Sequence, residues 1–397
     1  MSAGLRRAVE RLAEDGTPFF LFDPGELDRR AAAWRKAVTA VGPADVFYPY
    51  KCNRHPAVVR RLARAGLGAE VATRDDLRTA RALGVAGTRI VVHGPAKTRD
   101  AIDAALAAGA LLVADGAEDA RAILARAKAS ASRPRWLLRL SPGSSRAEQR
   151  PFGFAGRDLV AFARGLRRDP ALLPAGLAFH LGTGIPSTLP YRKALEQSAE
   201  VARELAASGI SISQLDLGGG FAAQTESRLD GRLRPLGVGV APEVLVEALG
   251  NEARRLFGPD VELLFEPGRA IVSQSFRLVA RVLRVKESER RRTVFLDASR
   301  LSHAFFAGWG RHPIETIPWR RGPRRAATLA GPLGVGVDVF ARSELLAPVR
   351  PGDLVVIGSV GAYNWNAVNG WAGATPAVRR VRAGISIGPP RARARDR

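Results

Sequence analysis

The chain has a single cysteine, Cys52, a single methionine and four tyrosines among 397 residues. One thiol cannot close an internal disulfide or build a cysteine zinc cage, so a disulfide-stapled secreted fold is excluded. Long apolar runs are missing too. No stretch approaches the roughly 20 residues that a membrane helix needs. The opening residues 1–7 lead into a charged amphipathic stretch rather than a signal-peptide core. A cytoplasmic protein without membrane contact is expected. Acidic residues are few beside basic ones, 38 against 61, a net charge of +23. Such an excess raises the question of nucleic acid, but the arginines are dispersed, denser only at 290–292, 320–325 and 391–395, and no aromatics interleave with them. Specific nucleic-acid binding is not expected. His55, His93, His303 and His312 show no metal-ligand spacing, so no metal centre is expected, and these four are assigned ordinary core or surface roles.

A composition that is 46% hydrophobic and 25% charged suits a globular chain of this length with two packed units. Short apolar runs alternate with Ala/Leu/Arg segments of helical period, the pattern of βα units around a parallel sheet. The strand candidates are 45–51, 68–72, 89–94, 111–115, 135–141, 176–182, 214–218 and 262–267. Eight such units predict a (β/α)8 barrel over 24–269, with a doubly wound open sheet as the competing fold. From residue 270 the texture becomes β-branched and alternating, which predicts a mostly antiparallel β domain over 270–388, joined by the strand-like segment 17–23. Residues 389–397 read as a basic tail.

In a barrel of this kind, chemistry sits where the strands end. The first strand ends in Tyr50-Lys51-Cys52-Asn53, the sixth in His180-Leu181-Gly182-Thr183, the seventh in Asp216-Leu217-Gly218-Gly219-Gly220 and the eighth in Glu266-Pro267-Gly268-Arg269. A lysine at a strand tip can simply snorkel to water. Here its companions are glycine amides and an arginine fork suited to phosphate, a carboxylate and an imidazole. A Schiff-base amine, phosphate donors, an acid partner for a ring nitrogen and a flat group against the ring are what pyridoxal phosphate (PLP) requires.

These motifs, in this order over residues 18 to 380, resemble the fold type III PLP-dependent decarboxylases, the family of ornithine, diaminopimelate and arginine decarboxylases. The resemblance implies Lys51 as the Schiff-base lysine, His180 against the cofactor ring and Glu266 at its pyridine nitrogen. It further implies that Thr183, Gly218, Gly219, Gly220, Gly268 and Arg269 hold the phosphate, with Tyr363 of Gly361-Ala362-Tyr363 adding its hydroxyl. A homodimer with shared active sites is implied as well.

The substrate half departs from the family pattern. Its Gly-Pro-x-Cys-x-x-x-Asp segment stands here as residues 331–338, with Gly334 at the cysteine position, Val335 where an acidic residue often meets the substrate's far amine, and Asp338 kept. Phe305-Phe306-Ala307-Gly308-Trp309 replaces an Arg-Pro-x-Leu-Tyr pattern, and Pro151-Phe152-Gly153 a Lys-Phe-Gly. Trp309, Trp365 and Trp371 stand between core packing and pocket walls. The first reading is a decarboxylase of a free or carrier-tethered amino acid, one without a cationic far end. A PLP-binding homologue without turnover, acting as a regulator or assembly partner, is the alternative. A racemase is a third reading, opposed by Glu266, because alanine racemase-like enzymes place an arginine there.

Overall fold

The computed structural model describes residues 1–143, 151–223, 239–288, 291–309 and 312–381. The expected basic tail at 389–397 lies outside the described residues. Two compact units result, one of Met1–Arg29 with the described residues from Val272 to Val381, the other of the described residues between Arg30 and Ile271. The division falls inside the helix Pro24–Thr39.

In the second unit, eight parallel strands close on themselves: β2 (Ala44–Pro49), β3 (Gly68–Val71), β4 (Ile90–Val92), β5 (Leu111–Ala114), β6 (Arg135–Arg139), β7 (Gly176–Ala178), β8 (Gln214–Asp216) and β9 (Glu262–Phe265). β9 returns to β2 through the register Ala44↔Leu263, Asp45↔Leu264 and Val46↔Phe265, which excludes the open sheet. Each strand is only three to six residues long, yet nearly all of it is buried. Phe47, Val91, Leu111, Val113, Leu137, Ala178 and Leu264 fill the barrel as one cluster. Burying each of the larger side chains contributes about 1.5–3 kcal/mol. Gly176 admits the close approach of β8, since a Cβ there would stand 1.9 Å from the Gln214 carbonyl oxygen.

The first unit carries β1 (Phe19–Phe22) and a sheet of β10 (Phe276–Glu287), β11 (Arg292–Leu296), β12 (Ile314–Ile317), β13 (Arg325–Ala330), β14 (Val339–Leu346), β15 (Leu354–Ile357) and β16 (Ala377–Arg380). Its order is β12-β15-β10-β11-β13-β14, with β1 antiparallel to β10 and parallel to β16. Pairing is mostly antiparallel, the exceptions being β1 with β16 and β11 with β13. β12 and β14 are elements that apolar periodicity does not mark, whereas the helix Ala3–Glu14 takes up the amphipathic stretch read at the start of the chain. In β14 the polar run Arg342-Ser343-Glu344 interrupts the apolar residues, and only Phe340 and Leu346 are buried, so no clean alternation marks the strand.

Candidate active site

Every barrel strand delivers one polar residue at or near its C-terminal end. Lys51 stands two residues past β2, Glu70 within β3, His93 just past β4, Asp115 just past β5, Arg139 at the end of β6, His180 two past β7, Asp216 at the end of β8 and Glu266 just past β9. The parallel arrangement puts these ends on one rim. Lys51 Nζ lies 2.7 Å from Glu70 Oε2, a fully buried carboxylate. Arg139 donates to Asp115 Oδ1 at 2.6 Å, and its guanidinium sits 5.2 Å from the Phe152 ring centroid. The amide of Gly153 reaches Asp115 Oδ2 at 3.3 Å, which gives the Pro151-Phe152-Gly153 segment a place in the ring.

His180 is half-buried and accepts the Gly219 amide at Nδ1 (3.2 Å), so its single proton belongs on Nε2. Burial, with the cations of Lys51, Arg139 and His93 behind it, holds this imidazole well below the usual histidine range. His93 behaves oppositely. Burial opposes its charge, but Glu266, Asp216 and Glu70 outweigh that and push it up to about 9. Its Nε2 stands 3.3 Å from Asp216 Oδ2 and 2.8 Å from Glu266 Oε1. The expectation of scattered, unclustered histidines therefore fails for His93. It converges with Asp216 and Glu266, all three buried, with one ligand-type atom from each lying within 4.8 Å of the others. They come from three strands and no spacing along the chain announces them.

The sequence treats three glycines as one phosphate cradle, and the fold separates them. Gly218 donates to Asp216 Oδ1 (2.8 Å) and Gly219 to His180 Nδ1, so both amides are taken up internally. The Gly220 amide has no such bond among the described residues. Gly220 has φ +93°, and a Cβ there would stand 2.4 Å from the Gly182 carbonyl oxygen. Buried Tyr191, not marked by the sequence, steadies this turn by donating to the Gly219 carbonyl at 3.0 Å. Arg269 Nε lies 3.2 Å from Thr183 Oγ1, joining two of the expected phosphate donors. Gly268 packs so tightly on Pro49 and Cys52 that a Cβ would meet them at 2.6 and 3.0 Å, which ties this turn to the segment bearing Lys51.

Whether these residues fit PLP turns on Glu266. Among the described residues no hydrogen-bond donor is directed at its buried Oε1, although His93 Nε2 lies 2.8 Å away. A buried carboxylate oxygen in that condition suits a protonated ring nitrogen. Lysine, open amide and arginine fork stand on neighbouring strand ends, and the donor set fits the cofactor.

Residues 24–273 match the family model described as pyridoxal-dependent decarboxylase, pyridoxal binding domain. This chain belongs to that family. Diaminopimelate decarboxylase of Actinosynnema pretiosum subsp. auranticum is 32% identical, covering 96% of this chain and 87% of that one. The enzyme of the same name from Zymomonas mobilis is 28% identical, covering 89% and 85%. Among solved structures, the lysine/ornithine decarboxylase of Vibrio vulnificus in complex with putrescine superposes with a TM-score of 0.81 at 25% identity, covering 96% and 99%. The chain is thus a PLP-dependent amino-acid decarboxylase by class.

The remaining sequence-predicted residues belong to the β unit. Tyr363 is half-buried with φ +67°, its ring 5.7 Å from that of Phe306. Gly361 donates to the Ser273 carbonyl at 3.0 Å, and a Cβ there would stand 2.0 Å from the Val272 oxygen. In the 331–338 loop, Gly334 has open space around it and Val335 is exposed. Asp338 is buried. It accepts from the Arg300 amide (2.7 Å), Ser299 Oγ (3.0 Å) and the Leu333 amide (3.4 Å). These bonds tie it to the loop's own scaffold rather than leave it available to a substrate. Trp365 packs edge-on against Phe20 at 5.9 Å, and Trp371 is exposed. No helix among the described residues is long and apolar enough to cross a membrane.

Proposed function

We propose that this decarboxylase acts on an α-amino acid, free or carrier-tethered, whose side chain does not end in a cation, and that Lys51 is its cofactor-bearing lysine. The Glu266 carboxylate with its undonated Oε1 carries the cofactor half of the reading. In it, Glu266 would accept from the ring nitrogen, and Gly220, Gly268, Arg269 and Thr183 would hold the phosphate. Gly218 and Gly219 shape the turn, and neutral His180 would supply a flat face for the ring. When bound, PLP supplies a sink for the electron pair left on Cα as CO2 departs. Lys51 Nζ, held by Glu70 at 2.7 Å, returns the proton to Cα. Together these groups oppose the reading of a protein without turnover, for which such a set has no physical use.

The substrate half rests on Val335 and Asp338. Burying an ammonium without a counter-charge costs several kcal/mol. Val335 offers none, and Asp338 is occupied by Ser299, Arg300 and Leu333. Relatives that act on diaminopimelate, or on lysine and ornithine, support a second reading with a cationic substrate. A panel of free amino acids and carrier-bound aminoacyl thioesters, assayed for CO2 release, separates the two. Efficient turnover of diaminopimelate, lysine, ornithine or arginine overturns the first reading, and turnover of nothing favours the regulatory alternative. A cytoplasmic homodimer with shared sites completes the proposal. Exposed Phe305, Val335, Val337 and Trp371 support pairing, since such side chains in one unit gain from cover. Sedimentation at micromolar concentration tests it, and an active monomer refutes it.

A further inference from the structure

His93 sits at the end of β4 with its backbone fixed on both sides. Its amide donates to the Val71 carbonyl at 2.8 Å. Lys97 pins the following turn by donating to the Gly94 and Val113 carbonyls at 2.7 and 2.6 Å. The imidazole is buried and directs Nε2–H at Asp216 Oδ2, with Glu266 Oε1 beside it at 2.8 Å. Glu70 adds a third carboxylate to its field, while Lys51, Asp115 paired with Arg139, and neutral His180 complete the charged and titratable groups that the barrel strands place on the rim. We infer that His93, as an imidazolium between Asp216 and Glu266, is the positioning residue that keeps Glu266 ionised, so that Glu266 accepts the proton of the cofactor's ring nitrogen rather than donating one to it. This rests on the proposed placement of that nitrogen at Glu266.

The physical case is charge balance. Two buried carboxylates this close, left without a cation, would not both stay ionised, and one would take a proton. Asp216 is secured as an anion by the Gly218 amide at 2.8 Å. Glu266, with its undonated Oε1, is the one that would protonate. A protonated Glu266 leaves the ring nitrogen without its proton and weakens the electron sink. The charge on His93 acts more strongly on Glu266, which it touches, than on a partner reached through Glu266. The rise of the His93 pKa to about 9 is the reciprocal sign of the same coupling.

The test uses the holoenzyme of wild type and His93→Gln, loaded with PLP carrying 15N in the ring and observed without substrate. The expected result is a pyridinium signal in wild type and a neutral pyridine signal in H93Q. PLP should still bind H93Q, and kcat should fall about tenfold or more, the scale on which outer partners of a bound group act, with KM nearly unchanged. A pyridinium signal in H93Q overturns the inference while leaving the cofactor site standing. If wild type takes up no PLP, the site reading itself fails and the inference falls with it. Should H93Q not fold, cofactor-free wild type labelled at the histidine rings decides. One of its five imidazoles should titrate near 9, and five that all titrate at or below the ordinary value overturn the inference.

Discussion

Lys51, almost half exposed, points its amine at Glu70, which has no access to solvent at all, across 2.7 Å. The buried partner fixes where the exposed one reaches, because Glu70 belongs to a barrel strand and Lys51 to the flexible-side-chain end of its neighbour. Borohydride treatment of the PLP-loaded protein should therefore fix the cofactor on the Lys51 peptide. Lys97 is the informative control, since it is buried and bonded to Asp119 Oδ2 at 2.6 Å. Label on Lys97 or Lys193 instead would displace Lys51 from its role.

Two histidines set opposite pH trends for the stability of the cofactor-free protein. His93 holds its proton in the fold up to about 9 but only to about 6.5 when unfolded, so its contribution is complete below 6.5 and lost as pH rises toward 9. The full swing is about 3 kcal/mol. His180 is held neutral, so it favours the unfolded chain as pH drops below 6.5. Thermal unfolding across pH 5 to 9.5 should peak near the point where the two trends meet. In His93→Gln the alkaline decline should flatten, and an unchanged decline would assign it to other groups.

Replacing Asp338 by alanine leaves the Ser299 hydroxyl and the Arg300 and Leu333 amides without their acceptor. The expected loss is about 2–3 kcal/mol of stability. Val335→Ala, on an exposed side chain of the same loop, should change it by less than about 0.5 kcal/mol. Urea denaturation of both variants checks this, and an undamaged D338A would return Asp338 to the list of substrate-facing groups.

Gly220→Ala places a methyl 2.4 Å from the Gly182 oxygen at a φ of +93°. The turn must shift, and with it the amide proposed for phosphate. PLP affinity, followed by cofactor absorbance on titration, should fall about tenfold or more with the circular dichroism of the fold retained. Equal affinity would show that the phosphate is held elsewhere.

The βα alternation, the eight strand segments and the change of texture at residue 270 are written in local patterns, because a buried parallel strand must be a short apolar run and a crossover helix must be amphipathic. The same holds for Lys51, His180, Asp216 and Glu266, each of which immediately follows or ends such a run. Glu70, Asp115 and Arg139 occupy equivalent positions but were passed over, since a charged residue at a strand end reads as ordinary solvent exposure until the barrel closes and turns it inward. Which carboxylate His93 meets, which glycine amides remain for a ligand, and that Asp338 serves its own loop were decided only in three dimensions. Each depends on groups brought together from distant parts of the chain: 123 residues separate His93 from Asp216, and 173 separate it from Glu266. Closure of the barrel, β9 against β2, is what sets those distances.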